Sequence, residues 1–168
     1  MSLMTAIDVL KGLIPTAASP SDANDLLREE AQFSYQPLAA NVVGTPIPEH
    51  VVWVARRKMR VIGARYSPDA AVTGVVTNFF SIVIAVRHVV APATQKIIIT
   101  YDSNATPAKD VPAFGQRDLY ASGDVNAAAA DADFILLPGD VLTVTVTKSG
   151  TGTIFPSGDV NIVMEARD

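Results

Sequence analysis

The tightest constraint on this chain is a strict two-residue alternation near its end, where Leu142, Val144 and Val146 interleave with Thr143, Thr145 and Thr147. Successive side chains of a strand point to opposite faces, so this repeat describes a strand with one dry and one wet side. Related patterns predict strands at 51–56, 60–66, 79–87, 96–101, 134–137 and 160–165, with a weaker candidate at 118–121. Turn formers separate them at Ser67-Pro68-Asp69, Ala91-Pro92, Thr106-Pro107, Pro138-Gly139-Asp140 and Pro156-Ser157-Gly158. Gly150-Thr151-Gly152 reads as a hairpin tip. The alanine-rich stretch 127–132 is too short to sustain a helix and reads as a loop. About eight strands between 51 and 168 make an all-β, antiparallel sandwich or barrel.

Composition narrows the classes that remain. The 168 residues (17.7 kDa) are 49% hydrophobic, with a mean hydropathy of +0.28, which excludes a largely disordered chain. A domain of this mass buries about two thirds of its unfolded surface, enough for a core without staples. No cysteine is present, so disulfides, thiolate metal sites and cysteine nucleophiles are excluded. Apolar runs fall short of the roughly 20 residues a membrane helix needs, so no membrane partner is expected. The first residues lack the basic start and long apolar run of a secretory signal. A formal charge of −4 argues against a nucleic-acid partner, which would need clustered lysine and arginine in excess.

Charge is unevenly spread. Residues 1–50 hold Asp8, Asp22, Asp25, Glu29, Glu30 and Glu49 against Lys11 and Arg28, while the remainder balances. Ser19-Pro20-Ser21-Asp22 offers a serine cap, a first-turn proline and an acid, predicting a short helix over 24–33. Residues 34–48, with Pro37, Gly44, Pro46 and Pro48, suit an extended segment. The chain therefore divides into an N-terminal arm, 1–50, and a β domain, 51–168. The arm either reaches onto a partner, with Leu26, Leu27, Phe33 and Tyr35 as contacts, or packs as a layer on its own domain.

The stretch 79–87 breaks the one-dry-face rule. Phe80, Ile82, Ile84 and Val86 form one apolar face, and Phe79, Val83 and Ala85 make the other nearly apolar too. Ile97, Ile98 and Ile99 add to it. Two neighbouring strands with apolar outer faces exceed the patch that monomers usually expose. This predicts an oligomer closed through Phe79, Phe80, Ile82, Ile84, Ile97 and Ile99, with a homotrimer as the expected symmetry.

Catalytic patterns are missing. His50 and His88 belong to no nucleophile or metal-binding spacing, and an enzyme is not expected. Asp131 and Asp133 could offer Ca²⁺ oxygen ligands from a loop, but no twelve-residue Ca²⁺ loop exists, and aspartates beside glycine and proline are ordinary turn formers. Trp53 lies on the same side of an ideal strand as Val51 and Ala55, which suits a core anchor better than a sugar platform. No cofactor is expected. The one concentration of charge is Arg56, Arg57, Lys58, Arg60 and Arg65. Such a cluster can hold nucleic acid, an acidic partner surface or the molecule's own acidic arm, or can simply be a solvated turn; without interleaved exposed aromatics a protein contact suits it better than nucleic acid.

Several segments together resemble a family of phage virion proteins with a jelly-roll domain. They are Ile47-Pro48 leading into Val51-Val52-Trp53-Val54-Ala55, then Lys58-Met59-Arg60-Val61-Ile62-Gly63-Ala64-Arg65-Tyr66. Phe134-Ile135-Leu136-Leu137-Pro138-Gly139-Asp140-Val141-Leu142 follows, and Gly150-Thr151-Gly152 to Pro156-Ser157-Gly158-Asp159-Val160 closes the series. The resemblance implies a jelly-roll sandwich and a capsid decoration (cement) protein on the virion surface. Its implied partner is the major capsid protein, its state often trimeric, and Arg56, Arg57, Lys58 and Arg60 would face that shell. The competing reading is a tail or head-fibre module that recognises a host glycan or protein.

Overall fold

The computed structural model describes residues 28–39, 43–73, 76–104, 109–120, 123–151 and 154–167. They form nine strands in two antiparallel sheets. One sheet orders β1 (Arg28–Tyr35), β9 (Gly158–Ala166), β3 (Met59–Pro68) and β6 (Arg117–Asp118), with β7 (Ile135–Leu136) on the same edge of β3 as β6. The other orders β2 (Gly44–Val54), β8 (Val141–Ser149), β4 (Phe79–Arg87) and β5 (Gln95–Asp102). Apart from the β4–β5 and β6–β7 links, each connection passes from one sheet to the other. The chain thus encloses a single core, with β1 and β2 at one flank and β5 to β7 at the opposite one.

Registers fix which side chains share a face. Phe80, Ile82, Ile84 and Val86 pair with Lys148, Val146, Val144 and Leu142, and all eight are buried. They meet Val61, Ala64, Tyr66, Val160, Ile162 and Met164 from the first sheet. Alternating apolar residues on two inward faces, burying area at about 25 cal/mol per Å², are what hold the sheets together. One end of the core is aromatic. Tyr35 donates to the Tyr66 hydroxyl at 2.8 Å, Tyr101 donates to the Lys109 carbonyl at 2.8 Å, and Phe80 lies 4.8 Å from Phe155. Burial pushes all three phenols up, so they remain protonated hydrogen-bonding groups. Gly158 is required here, because a Cβ at that position would sit 2.7 Å from the Tyr66 ring.

Several expectations change. The helix over 24–33 gives way, from Arg28 on, to β1, which pairs with β9 from Arg28↔Glu165 to Tyr35↔Gly158. Long-range pairing overrides local helix preference there. Residue 51 lies inside β2, and 28–50 contribute strands to both sheets. Leu26 and Leu27 lie outside the described residues. Gly150-Thr151 is no hairpin tip, since β8 and β9 belong to different sheets. The loop expected at 127–132 runs into a 3-10 turn, Asp131–Phe134.

The expected greasy outer face of β4 is also corrected. Phe80, Ile82, Ile84 and Ile99 point into the protomer's own core, so they form no surface for a neighbour. On the outer side Ser81, Val83 and Ala85 register with Thr147, Thr145 and Thr143 of β8. Glu49 spans this face, accepting from Arg87 Nε at 2.7 Å, Thr143 Oγ1 at 2.8 Å and Gln95 Nε2 at 3.1 Å. The Arg87 guanidinium holds the Glu49 carboxyl below its usual range. What remains apolar outside is Phe79, Val83 and Ile97 within a polar surround.

Candidate interaction surface

The two flanks of the sandwich are finished differently. Along β5 the chain 124–126 supplies a cover: Thr100 donates to the Asp124 carbonyl at 2.8 Å and Asn126 to that of Ile98 at 2.9 Å. Beneath it Asp124 is buried, held by Arg117 Nε at 2.9 Å and Lys109 Nζ at 3.2 Å, while the Arg117 guanidinium stands 5.2 Å from the Tyr101 ring centre. At the other flank β1 pairs only with β9 and β2 only with β8 among the described residues. Among the described residues no strand covers their outer edges.

Most of that open edge carries features that deter another strand. β1 opens with Arg28, Glu29 and Glu30, and β2 contains Pro46, Pro48, Glu49 and His50 with three register shifts. Prolines, charges and bulges are the usual protections of an edge. Residues 51–54 carry neither proline nor charge, although one of the three register shifts falls between Val51 and Trp53, and they line a groove of about 760 Å³ with Glu29, Arg56 and Arg57. Val51 and Val54 are 49% and 53% exposed. The bulge between Val51 and Trp53 matters, because Val51 registers with outward Thr143 and Trp53 with inward Leu142. Trp53 is therefore a partly buried core neighbour, as expected, but Val51 lies on the opposite face. The Trp53 indole N–H is shut off from solvent and has no acceptor among the described residues.

The basic cluster forms the turn that closes this groove. Buried Ala55 anchors it, donating to the Asp140 carbonyl at 2.9 Å and accepting from the Gly139 N–H at 2.8 Å. Arg57 pairs with Glu29 of β1 at 2.7 Å, and Arg60 bridges to both carboxylate oxygens of Asp131. The Lys58 carbonyl accepts from the Arg167 N–H at 3.0 Å. Arg65 sits exposed on the outer face of β3. Arg56 makes no ion pair among the described residues. Within the cluster Arg57 and Arg60 are thus tied to Glu29 and Asp131, pairings no sequence spacing indicates. Phe33 is half-buried, 5.5 Å from the His50 ring, whereas Tyr35 is wholly within the core and is not free to reach a partner surface as the arm reading required.

His88, Asp140, Asp131 and Asp133 each have partners within the fold. His88 Nδ1 lies 2.7 Å from Asp140 Oδ2, an orienting pair of the kind a catalytic histidine uses. Asp140, however, also accepts the backbone N–H groups of Val89 at 2.7 Å and Leu137 at 2.8 Å, which makes it a lock between two turns. Burial raises its pKa; those N–H groups and His88 more than offset this and hold it below the usual carboxylate value. Asp131 faces Arg60, while Asp133 accepts the Ala130 N–H at 2.8 Å. The two carboxylates face separate partners, and among the described residues no group of three metal-ligating side chains converges. Sequence reasoning missed the Arg117–Asp124–Lys109 cluster, whose members carry no distinguishing local pattern.

No family model and no curated protein matches the chain. Among solved structures it is similar to one of the infectious bursal disease virus Gx strain, at 13% identity and a TM-score of 0.30. The match covers 83% of this chain and 30% of that one.

Proposed function

We propose that this protein is a virion structural component, a capsid decoration protein that binds the assembled shell from its open flank. The observation that carries the reading is the strand order, β1-β9-β3-β6 facing β2-β8-β4-β5. Two antiparallel sheets joined by sheet-to-sheet crossovers support the jelly-roll reading, a fold used by viral capsid domains and lectins. The segments that resemble phage virion proteins fall on β2, β3, β7, β8 and β9 of this arrangement. The open flank supplies a contact: a short apolar edge beside a basic turn, complementary to an acidic surface. A ligand that binds the assembled lattice and not free subunits stabilises the lattice by mass action, and a trimeric decoration would add avidity where its geometry matches the shell.

Co-sedimentation with undecorated shells of the parent virus tests this reading. The protein should pellet with shells, remain in solution with dissociated capsid subunits, and lose most shell binding as R56E. Retention on a glycan array with no shell binding would establish the fibre reading instead. Mass in solution decides the trimer separately.

A further inference from the structure

The end of the sandwich away from the basic turn carries a knob and a hole. Its rim is one row of paired residues, Tyr35 of β1, Gly158 of β9 and Pro68 of β3. On the β3 side the chain 111–115 is tied to this row: the Phe114 N–H donates to the Pro68 carbonyl at 2.9 Å, and Val72 and Val111 exchange backbone hydrogen bonds at 2.8 and 3.0 Å. Phe114 has a φ of +54°, and among the described residues it alone, glycines apart, has a positive φ. Its side chain is 80% exposed. The left-handed region is disfavoured for a bulky side chain, and such strain clusters at ligand clamps. Strain and exposure both count against this arrangement in a lone protomer, and an apolar partner would offset them.

The hole lies across β9, on the β1 side of the same end. Beyond Tyr35, Leu38 exchanges backbone hydrogen bonds with Phe155 at 2.9 and 3.1 Å. Gln36, Pro37, Leu38 and Ale39 would be incomplete without β2: Pro46 and Ile47 complete a recess of about 340 Å³. Proline there bars an added strand but makes a rigid wall for a side chain. Phe114 does not fill the recess of its own protomer, since its ring is exposed and its turn is held two strand spacings away, roughly 10 Å. Val43 and Ile154, next in the chain to Gly44 and Phe155, are more than half exposed at the same end. We propose that Phe114 of one copy seats in the recess walled by Pro37, Leu38 and Pro46 of a second copy. The chain itself carries the matching anchor, and an aromatic side chain in a desolvated pocket is the kind of contact that dominates interface affinity. Knob and recess are different patches, so the contact runs head to tail and makes a ring where its rotation closes. Ile47 and Trp53 lie roughly 20 Å apart along β2, which leaves residues 51–57 to the shell. The inference does not depend on the virion reading.

Analytical sedimentation of the full chain, up to about 0.1 mM so that even a micromolar contact is filled, reads this contact. The wild type should run as a multiple of the 17.7 kDa protomer. F114D removes the knob and A39R obstructs the recess; both positions are exposed, so the β-sheet circular dichroism should be retained. Each variant alone should self-associate about thirtyfold more weakly or worse, the loss of a principal anchor. An equimolar mixture should form a species of twice the protomer mass, because Phe114 of the A39R chain meets the intact recess of the F114D chain. If one variant fails to fold, the mass of the other decides. A wild type that stays a single protomer at the highest concentration would overturn the inference. So would folded variants that keep the wild-type mass, or a mixture in which the two do not pair.

Discussion

The flank at β5 and the flank at β1–β2 solve the same problem in opposite ways. Both end a sheet and expose backbone groups that must find partners. The first is closed by chain 124–126 over a buried ion cluster, so its stability is internal. The second is protected by proline and charge along most of its length and left open at Val51 to Val54, beside a basic turn. One flank is covered by its own chain; the other carries no covering strand among the described residues. The difference shows that exposed hydrophobic residues alone do not identify a contact surface.

The sharpest way to break the comparison is to disturb the closed flank. D124A leaves the Arg117 guanidinium, with 8% of its side chain exposed, without its carboxylate. Removing one partner of a buried ion pair should lower unfolding free energy by about 3–5 kcal/mol in denaturant titration. A loss below about 1 kcal/mol would mean that this flank is not held by its ion cluster.

A smaller effect is expected at Asp140, which anchors the turn beside the open groove. D140N should cost about 1–3 kcal/mol, since hydrogen-bonded charge is replaced by a neutral amide. The sign of its pH dependence follows from the lowered native pKa. Its contribution is complete above the ordinary carboxylate value of 3.8 and disappears as pH falls through the lower native value. Melting curves of wild type and D140N should therefore converge on acidification below about pH 4. Curves that stay parallel would remove Asp140 from the acid response.

The strands with strong alternation were legible because their pattern and their burial have the same cause. Val141–Ser149 and Phe79–Arg87 read directly, as did the turn at 138–140. β1 was not read, although Ala31, Phe33 and Tyr35 alternate with Gln32 and Ser34. Its glutamates and alanine favour a helix locally, and only pairing with β9, far along the chain, makes it a strand. The outer face of β4 was misjudged for a related reason: the threonines beside Val83 and Ala85, and the glutamate across them, come from β8 and β2. Of the interaction surface, the basic turn was visible as charge density. Its partition was not, because Glu29 and Asp131 approach Arg57 and Arg60 only in the folded sandwich.

The most direct test of this division of labour is hydrogen exchange on the full chain, alone and bound to undecorated shells. New protection is expected at residues 50–60, with the Tyr66, Tyr101 and Phe155 end unchanged. Protection confined to that aromatic end or to the β5 flank, with 50–60 exchanging as before, would contradict the account.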